Sequence, residues 1–174
     1  MPEDNHSIDE GKLARYLEQQ IEEFRGPFTT KKFTHGKSNP TFAINAANGR
    51  YVLRRKPPGN LLKSAHAVDR EFRVIRALAN TDVPVARVFH LCEDESVIGS
   101  MFYLMEFVEG EVYWDAALPD MNKKQRSAVY DEMNRVLAAL HSVDVDAVGL
   151  SDFGKSGNYF ERQLGRWSKQ YRAS

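Results

Sequence analysis

The sequence of 174 residues contains one cysteine, Cys92, and no long apolar run. A single thiol cannot build the internal disulfide framework of small extracellular domains, which favours a reducing, cytoplasmic location. A membrane-spanning helix needs roughly 18 consecutive apolar residues, and the polar start of the chain lacks the apolar core of a signal peptide. The sequence therefore predicts a soluble protein that does not associate with membranes.

The chain also lacks a net charge, because 24 lysines and arginines balance 24 aspartates and glutamates. No overall positive field is available to attract nucleic acid, so a nucleic-acid partner is not expected. The five histidines and the lone cysteine do not show the spacing of zinc ligands. No metal site is predicted from this pattern.

A carboxylate lies on the apolar side of a predicted helix. Within 64–79, Val68, Phe72 and Ile75 recur at helical spacing, and Glu71 projects into the middle of the stripe that they form. An unpaired carboxylate in a packed interior costs several kcal/mol. We therefore expect a cation beside Glu71.

The strand predicted over 50–56 supplies that cation. With a period of two, Val52 and Arg54 share one face of the strand. A strand cation held by a helix glutamate is the arrangement with which protein kinases hold nucleotide phosphates. A purely structural ion pair, or a Glu71 that reaches the edge of its helix, explains these two segments equally well.

Periodicity divides the chain into a sheet-forming part and a helical part. Five antiparallel strands are predicted, with one helix inserted after the third strand, over 29–34, 41–46, 50–55, 85–92 and 101–108. A leading helix over about 8–24 begins at a capping box formed by Ser7 and Glu10. Further helices cover 121–141 and a segment bearing Phe160, Leu164, Trp167 and Tyr171. The predicted fold class is α+β, with a sheet domain over 1–109 and an incomplete helical domain over 110–174.

Two segments have weaker signals. The hairpin tip at 35–40 is rich in small and polar residues whose backbone N–H groups can point at anionic oxygens, but a tip of this composition is more often a simple turn. The run 101–110 leaves the sheet for the helical part, so its backbone groups could bind an adenine ring. A core strand that stops at Gly110 explains the same run.

Taken together, Tyr-Val-Leu-Arg-Arg-Lys-Pro-Pro-Gly at 51–59, Val-Asp-Arg-Glu at 68–71, Val-Pro-Val-Ala at 83–86 and Tyr-Leu-Met-Glu-Phe-Val-Glu-Gly at 103–110 resemble the aminoglycoside phosphotransferase and choline kinase-like family. Within that family, the greatest likeness is to the kinase-like domain associated with acyl-CoA dehydrogenase family members. The resemblance covers about 20–174.

The resemblance implies a two-lobed, protein-kinase-like fold in which the sheet and one αC-type helix form the N-lobe. Such proteins transfer the γ-phosphoryl group of ATP, or of another nucleoside triphosphate, to a hydroxyl group with the help of Mg²⁺. Arg54 would replace the usual lysine, with Glu71 as its partner and Val52 on the same strand face. The remaining implied nucleotide-binding residues are Gly36, Lys37, Ser38 and Asn39 in the phosphate loop, and Met105, Glu106, Phe107 and Val108 in the adenine-binding hinge.

The catalytic loop of the family, His-Gly-Asp followed shortly by Asn, has no counterpart in the chain, and neither does the later metal-binding Asp. The run from His141 to Asp144 has the wrong spacing. Asp152-Phe153-Gly154 spells the metal-binding triplet of protein kinases, but no catalytic loop precedes it, so we interpret Asp152 as a turn or helix cap. No catalytic residue and no metal ligand is therefore predicted here, and we expect the isolated chain to be inactive, with the missing half beyond Ser174.

Two functions stay open. The chain is either the nucleotide-binding part of an ATP-dependent small-molecule phosphotransferase, whose acceptor by analogy is a hydroxyacyl thioester, or a non-catalytic nucleotide-binding or docking module. In the second case an exposed face around Phe160, Trp167 and Tyr171 would bind a partner protein or another copy, forming a homo-oligomer.

Overall fold

The computed structural model describes residues 8–34, 39–57, 66–154 and 157–173. The elements found there are α1 (Glu10–Gln20), β1 (Phe28–Lys32), β2 (Thr41–Ala46), β3 (Gly49–Arg55), α2 (Val68–Leu78), β4 (Val88–Cys92), β5 (Phe102–Glu106), α3 (Lys123–His141) and α4 (Tyr159–Ala173). The chain divides into two compact units, 1–143 and 144–174. The first unit contains the sheet and α1 to α3, and the second contains α4.

The strands form one antiparallel sheet in the order β1-β2-β3-β5-β4. A tight hairpin joins β2 to β3, with Ala47 and Asn48 as its two loop residues and Ala46 opposite Gly49. In register, Arg54 lies between Thr41 of β2 and Tyr103 of β5. Because residues paired in register point to the same side of a sheet, these three side chains share a face.

One face of the sheet, here called the α1 face, is covered by α1 and the segment that follows it. Leu13, Leu17 and Phe24 are fully buried and belong to one apolar cluster with Leu53 and other strand residues. The rings of Phe24 and Tyr51 pack with their centroids 5.2 Å apart. Removing each such side chain from water contributes about 1.5–3 kcal/mol to stability. The leading helix is therefore an integral part of the sheet domain.

The opposite face, here called the α2 face, packs against α2. Val68 and Phe72 of the helix form a second apolar cluster with Tyr103 of β5, and the Phe72 and Tyr103 rings meet edge to face at 5.9 Å. This spacing of apolar residues is what makes the segment an amphipathic helix. Glu71 occupies its first turn, where the positive end of the helix dipole favours a carboxylate.

Arg55 is a cation on the α1 face. Its side chain points away from Arg54, is only 2 % exposed, and donates a hydrogen bond from Nε to Ser100 Oγ at 2.9 Å. Burial lowers the pKa of its guanidinium, because a low-dielectric surrounding disfavours the charged form. Arg55 thereby links β3 to the loop that precedes β5.

The first helix begins and ends differently from the prediction. Asp9 is its N-cap, and its carboxylate accepts a hydrogen bond from Lys12 N at 2.9 Å; Ser7, which we expected there, lies outside the described residues. Glu10 does not complete a capping box, because its carboxylate accepts hydrogen bonds from the Thr30 N–H and hydroxyl instead. The helix ends at Gln20, while Ile21 has extended backbone angles and stays buried.

The other elements agree with the predicted type; β2 also agrees at both ends, while several others differ at their ends. β4 starts at Val88 rather than 85, and β5 spans Phe102–Glu106 rather than 101–108. α2 runs over Val68–Leu78, and part of the longer segment predicted for it lies outside the described residues. α3 begins at a capping box formed by Asn122 and Gln125, which periodicity alone did not reveal. No helix among the described residues is long and apolar enough to cross a bilayer.

Candidate functional site

The α2 face brings Arg54 and Glu71 together, as the two sequence periods predict. Arg54 Nε donates to Glu71 Oε2 at 2.6 Å, and Nη2 of the same guanidinium lies 3.3 Å from Oε1. This fork-to-fork contact fixes the orientation of both groups as well as their distance. The strand cation and the helix carboxylate therefore form one unit.

Glu71 is less enclosed than the sequence led us to expect. The side chain is 35 % exposed, and that of Arg54 is 30 % exposed. The reason is that α2 packs on β4 and β5 through Val68 and Phe72, which leaves Glu71 at the border of the apolar contact. The pair is thus open to solvent on one side, where a ligand can reach it.

The carboxylate of Glu71 is saturated with donors. Besides the two Arg54 nitrogens, it accepts hydrogen bonds from Asn39 Nδ2 at 2.9 Å and from the Tyr103 hydroxyl at 3.3 Å. A carboxylate offers about four acceptor positions, so these contacts use its capacity. Arg54, Glu71, Asn39 and Tyr103, with Thr41 and His66 attached to them, are called the Glu71 cluster below.

The contacts that position the Arg54 guanidinium do not occupy all of its N–H donors. Its Nη1 donates to Thr41 Oγ1 at 3.2 Å in addition to the contacts with Glu71. Since the guanidinium has further N–H groups on Nη1 and Nη2, donors remain for a ligand. Burial acts to lower the pKa of Arg54, but the hydrogen bond and the charge of Glu71 outweigh it and raise the pKa. The residue is a permanent cation.

Tyr103 is the buried member of the Glu71 cluster. It is 2 % exposed, and burial together with the charge of Glu71 raises the pKa of its phenol to about 12. The neutral hydroxyl can therefore donate to Glu71 throughout the physiological range.

This pKa gives a testable pH dependence. The stabilising contribution of the neutral Tyr103 phenol is complete below pH 10.0 and is lost as the pH rises toward about 12. An ultraviolet titration of tyrosinate absorbance should show a step near the upper value that Tyr103→Phe removes. The control Tyr130→Phe, which deletes a phenol on an exposed side chain, should keep that step. Because burial also raises the pKa of the Tyr16 phenol, the amplitude decides: a step of undiminished amplitude in Tyr103→Phe contradicts the assignment.

The predicted phosphate loop is described only at its end. Gly36, Lys37 and Ser38 lie outside the described residues. Asn39 is 5 % exposed, and its side chain is engaged on both sides, by Glu71 at 2.9 Å and by His66 Nδ1 at 2.8 Å. Its side chain therefore supports the base of the hairpin, and a role of this segment in holding phosphate stays a prediction.

The four predicted hinge residues differ in their surroundings. Met105 packs against the second apolar cluster, which Val68, Phe72 and Tyr103 form on the α2 face. It pairs in register with Val52, which is 8 % exposed. Glu106 N–H donates to Arg87 O at 2.8 Å, and its carboxylate accepts from Arg87 N at 2.9 Å. Val108 is 61 % exposed and follows the end of β5. Their contact with adenine stays a prediction.

Phe107 belongs to an aromatic stack. Its ring lies nearly parallel to that of Phe33, with centroids 6.3 Å apart and planes 24° apart. The Arg50 guanidinium lies 3.7 Å from the Phe107 centroid, and Arg50 also forms an ion pair with Glu109. A flat, polarised surface thus adjoins the end of β5.

Asp152 lies in a turn of the second unit, over 151–154. In the part of the chain that the structure describes, no group of three or more histidine, cysteine, aspartate or glutamate side chains is placed to hold a metal ion.

Several residues of the site were not predicted from the sequence. Tyr103 shares the face of Met105 by a period of two, but only the β3–β5 register places it beside Arg54. Thr41 follows the same rule in β2. His66 and the Asn39 side chain meet across a separation of 27 residues, for which the sequence carries no local signal.

Known proteins are similar to this chain in sequence and, in one solved structure, in fold. A crystal structure from Ralstonia eutropha, whose assignment as an aminoglycoside phosphotransferase is provisional, superimposes with a TM-score of 0.84 and 51 % identity over 96 % of this chain and 48 % of the other. The probable acyl-CoA dehydrogenase IBR3 of Arabidopsis thaliana is 50 % identical over 97 % of this chain and 22 % of its own length. Acyl-CoA dehydrogenase family member 10 of Mus musculus is 48 % identical over 97 % of this chain and 16 % of its own length.

The fold is therefore protein-kinase-like. The profile of the phosphotransferase enzyme family matches residues 29–174, and the chain belongs to that family. It spans about a fifth of the length of the curated relatives and about half of the solved structure.

Proposed function

We propose that this chain is the nucleotide-binding part of an ATP-dependent phosphotransferase that acts on a hydroxyl group of a small molecule. The observation that carries the proposal is the Arg54–Glu71 pair at 2.6 Å, oriented on the α2 face with guanidinium donors to spare. The half-open side of the pair, and the N–H groups on Nη1 and Nη2 that the contacts with Glu71 and Thr41 leave over, would let Arg54 bind an anion. Residues 1–109 would form the nucleotide lobe, and 110–174 the start of the substrate lobe.

The residues present suit the phosphate groups of a nucleoside triphosphate. ATP supplies a transferable γ-phosphoryl group, and the protein contributes chiefly position and charge neutralisation. The guanidinium of Arg54 can bind two phosphate oxygens at once, while the carboxylate of Glu71 holds the plane of the guanidinium fixed. Ligands for the metal are expected outside this chain.

The stack of Phe107 on Phe33 is suited to a purine. Aromatic rings offer a flat apolar surface to a base, and the ring of Phe107 lies directly after the strand that carries Met105 and Glu106. We expect the base to lie against this stack, with its edge contacted by the backbone carbonyl of Glu106, whose N–H is engaged with Arg87 O, and by backbone groups of Val108.

The acceptor is inferred from the relatives. Two of them carry acyl-CoA dehydrogenase in their names and include a segment about half identical to this chain. A phosphotransferase part beside a dehydrogenase of acyl thioesters would most simply act on an acyl thioester that bears a hydroxyl group. We therefore propose a hydroxyacyl thioester as the acceptor class.

A second candidate function is a non-catalytic nucleotide-binding or docking module. The observation in its favour is the row of exposed apolar side chains on α4, in which Phe160 is 85 % and Trp167 64 % exposed. Such a row could bind a partner protein or a second copy. The two candidates differ in whether the protein that contains this chain transfers phosphate.

Calorimetric titration with a non-hydrolysable ATP analogue tests the first proposal. We expect Arg54→Met to bind the analogue about tenfold more weakly, a loss of ~1.4 kcal/mol. Arg135→Met is the matched control, because Arg135 also pairs with a glutamate but lies exposed on α3. Equal affinities of the two variants would refute the site.

An activity assay tests where the catalytic groups lie. We expect no turnover by this chain alone with magnesium-ATP and a panel of aminoglycosides, choline and hydroxyacyl thioesters. Turnover would refute the proposal that the catalytic groups lie outside this chain.

A further inference from the structure

Asn39 is a buried polar residue that bridges two parts of the chain. It follows the predicted phosphate loop, yet its amide faces inward: Nδ2 donates to Glu71 Oε1 at 2.9 Å and Oδ1 lies 2.8 Å from His66 Nδ1. Its backbone carbonyl accepts from Thr41 Oγ1 at 3.1 Å, and Thr41 in turn contacts Arg54. The side chain of Asn39 therefore joins the β1–β2 hairpin to Glu71 of α2 and to His66, and Thr41 joins its backbone to Arg54 of β3.

The direction of each hydrogen bond follows from Glu71. Both carboxylate oxygens already accept from Arg54, so the group facing Oε1 from Asn39 must be a donor, which is its NH₂. The carbonyl oxygen of Asn39 then faces His66, and Nδ1 of the imidazole must carry the hydrogen. His66 thereby fixes the orientation of Asn39, and Asn39 fixes Glu71.

His66 is well placed to hold the start of α2. It precedes the N-cap residue Ala67, which provides no side-chain cap. Its backbone has φ +63°, a left-handed conformation that is uncommon for residues other than glycine, and its carbonyl accepts from Val68 N at 3.0 Å. A strained residue persists where surrounding contacts determine its conformation, and the contact with Asn39 is one of these.

We propose that Asn39 and His66 are positioning residues that latch α2 to the β1–β2 hairpin and so hold Glu71 in place to orient Arg54. The functional consequence rests on the proposed function, because it requires that Arg54 binds phosphate. A ligand bound by the hairpin then also affects the position of Glu71, although it touches neither His66 nor α2.

A pair of isosteric variants separates the hydrogen bond from packing. Asparagine places an N–H donor where His66 has Nδ1 and tolerates a left-handed backbone, as does aspartate, which at neutral pH can only accept. We expect His66→Asn to bind a non-hydrolysable ATP analogue within about twofold of the wild type. His66→Asp should bind about fivefold more weakly, the loss expected for one hydrogen bond of ~1 kcal/mol. His141→Asp, on an exposed position of α3, controls for the added charge.

A second readout does not depend on nucleotide. Backbone hydrogen exchange in the first turn of α2, where Glu71 N bonds to Ala67 O at 3.2 Å, should be faster in His66→Asp than in the wild type and in His66→Asn. If the wild type binds no nucleotide, the proposed function fails, while this exchange difference still supports the latch. Equal exchange in the two variants overturns the latch, whatever the binding data show.

The last arm tests whether His66 acts through Glu71. In a Glu71→Ala background, the difference in nucleotide affinity between His66→Asn and His66→Asp should disappear. The reason is that the Glu71 carboxylate, through which His66 affects Arg54, is then absent. A difference that persists undiminished would mean that His66 affects binding by another route, and the proposal would be wrong.

Discussion

Replacing Glu71 with alanine is expected to weaken nucleotide binding about tenfold, or ~1.4 kcal/mol. The substitution leaves Arg54 without its orienting partner and removes the acceptor of Asn39 and Tyr103. Truncating one member of a buried charge pair costs roughly 2–5 kcal/mol. The expected loss is smaller because the side chains of Arg54 and Glu71 are 30 % and 35 % exposed, so water screens the charge that is left.

Asp69→Ala is the matched control for this experiment. Asp69 lies in the same first helical turn but points to solvent, so both substitutions change the helix end and the net charge equally. We expect Asp69→Ala to bind a non-hydrolysable ATP analogue within about twofold of the wild type in calorimetric titrations. Similar losses from both substitutions would show that general electrostatics, and not the pairing with Arg54, governs affinity.

Leu17→Ala is expected to lower the free energy of unfolding by about 3 kcal/mol. Leu17 is fully buried between α1 and the sheet, and truncating such a leucine removes apolar contact and leaves a cavity. Urea unfolding followed by circular dichroism measures the loss. A change below about 1 kcal/mol would show that α1 is only loosely attached to the sheet.

The same substitution at Leu137 controls for helix propensity. Leu137 also lies in the middle of a helix, α3, but is 50 % exposed. We expect Leu137→Ala to change the free energy of unfolding by no more than about 0.5 kcal/mol. The difference between the two variants then reports on the α1 face alone.

Local periodicity was sufficient to assign Arg54 to one face of its strand and Glu71 to the apolar face of its helix, and the structure shows that these two faces meet. A period of two assigns the strand face, and a period of 3.6 assigns the helix face, whatever the rest of the chain does. The exposure of Glu71 could not be read in the same way, because it depends on where α2 meets β4 and β5. The five strands and their antiparallel sheet were predicted correctly.

The partners of Glu71 required knowledge of the folded chain. Tyr103 reaches the carboxylate only because β5 pairs with β3 in one register. Asn39 and His66 meet because the hairpin and α2 fold back on each other, and no short-range pattern encodes that encounter. The cap of α1 was misplaced for a similar reason, since Glu10 finds a better partner in Thr30 of β1.

The adjacent residues Arg54 and Arg55 make a shift in the register of β3 unfavourable. A shift by one residue exchanges the two faces of a strand, so Arg54 would enter the apolar layer beside Leu17 while Leu53 would be expelled toward water. The guanidinium of Arg55 would also lose its hydrogen bond with Ser100 Oγ. The two adjacent arginines therefore disfavour any other register of β3, and the native register is also the one that places Arg54 where its proposed phosphate contact would be made.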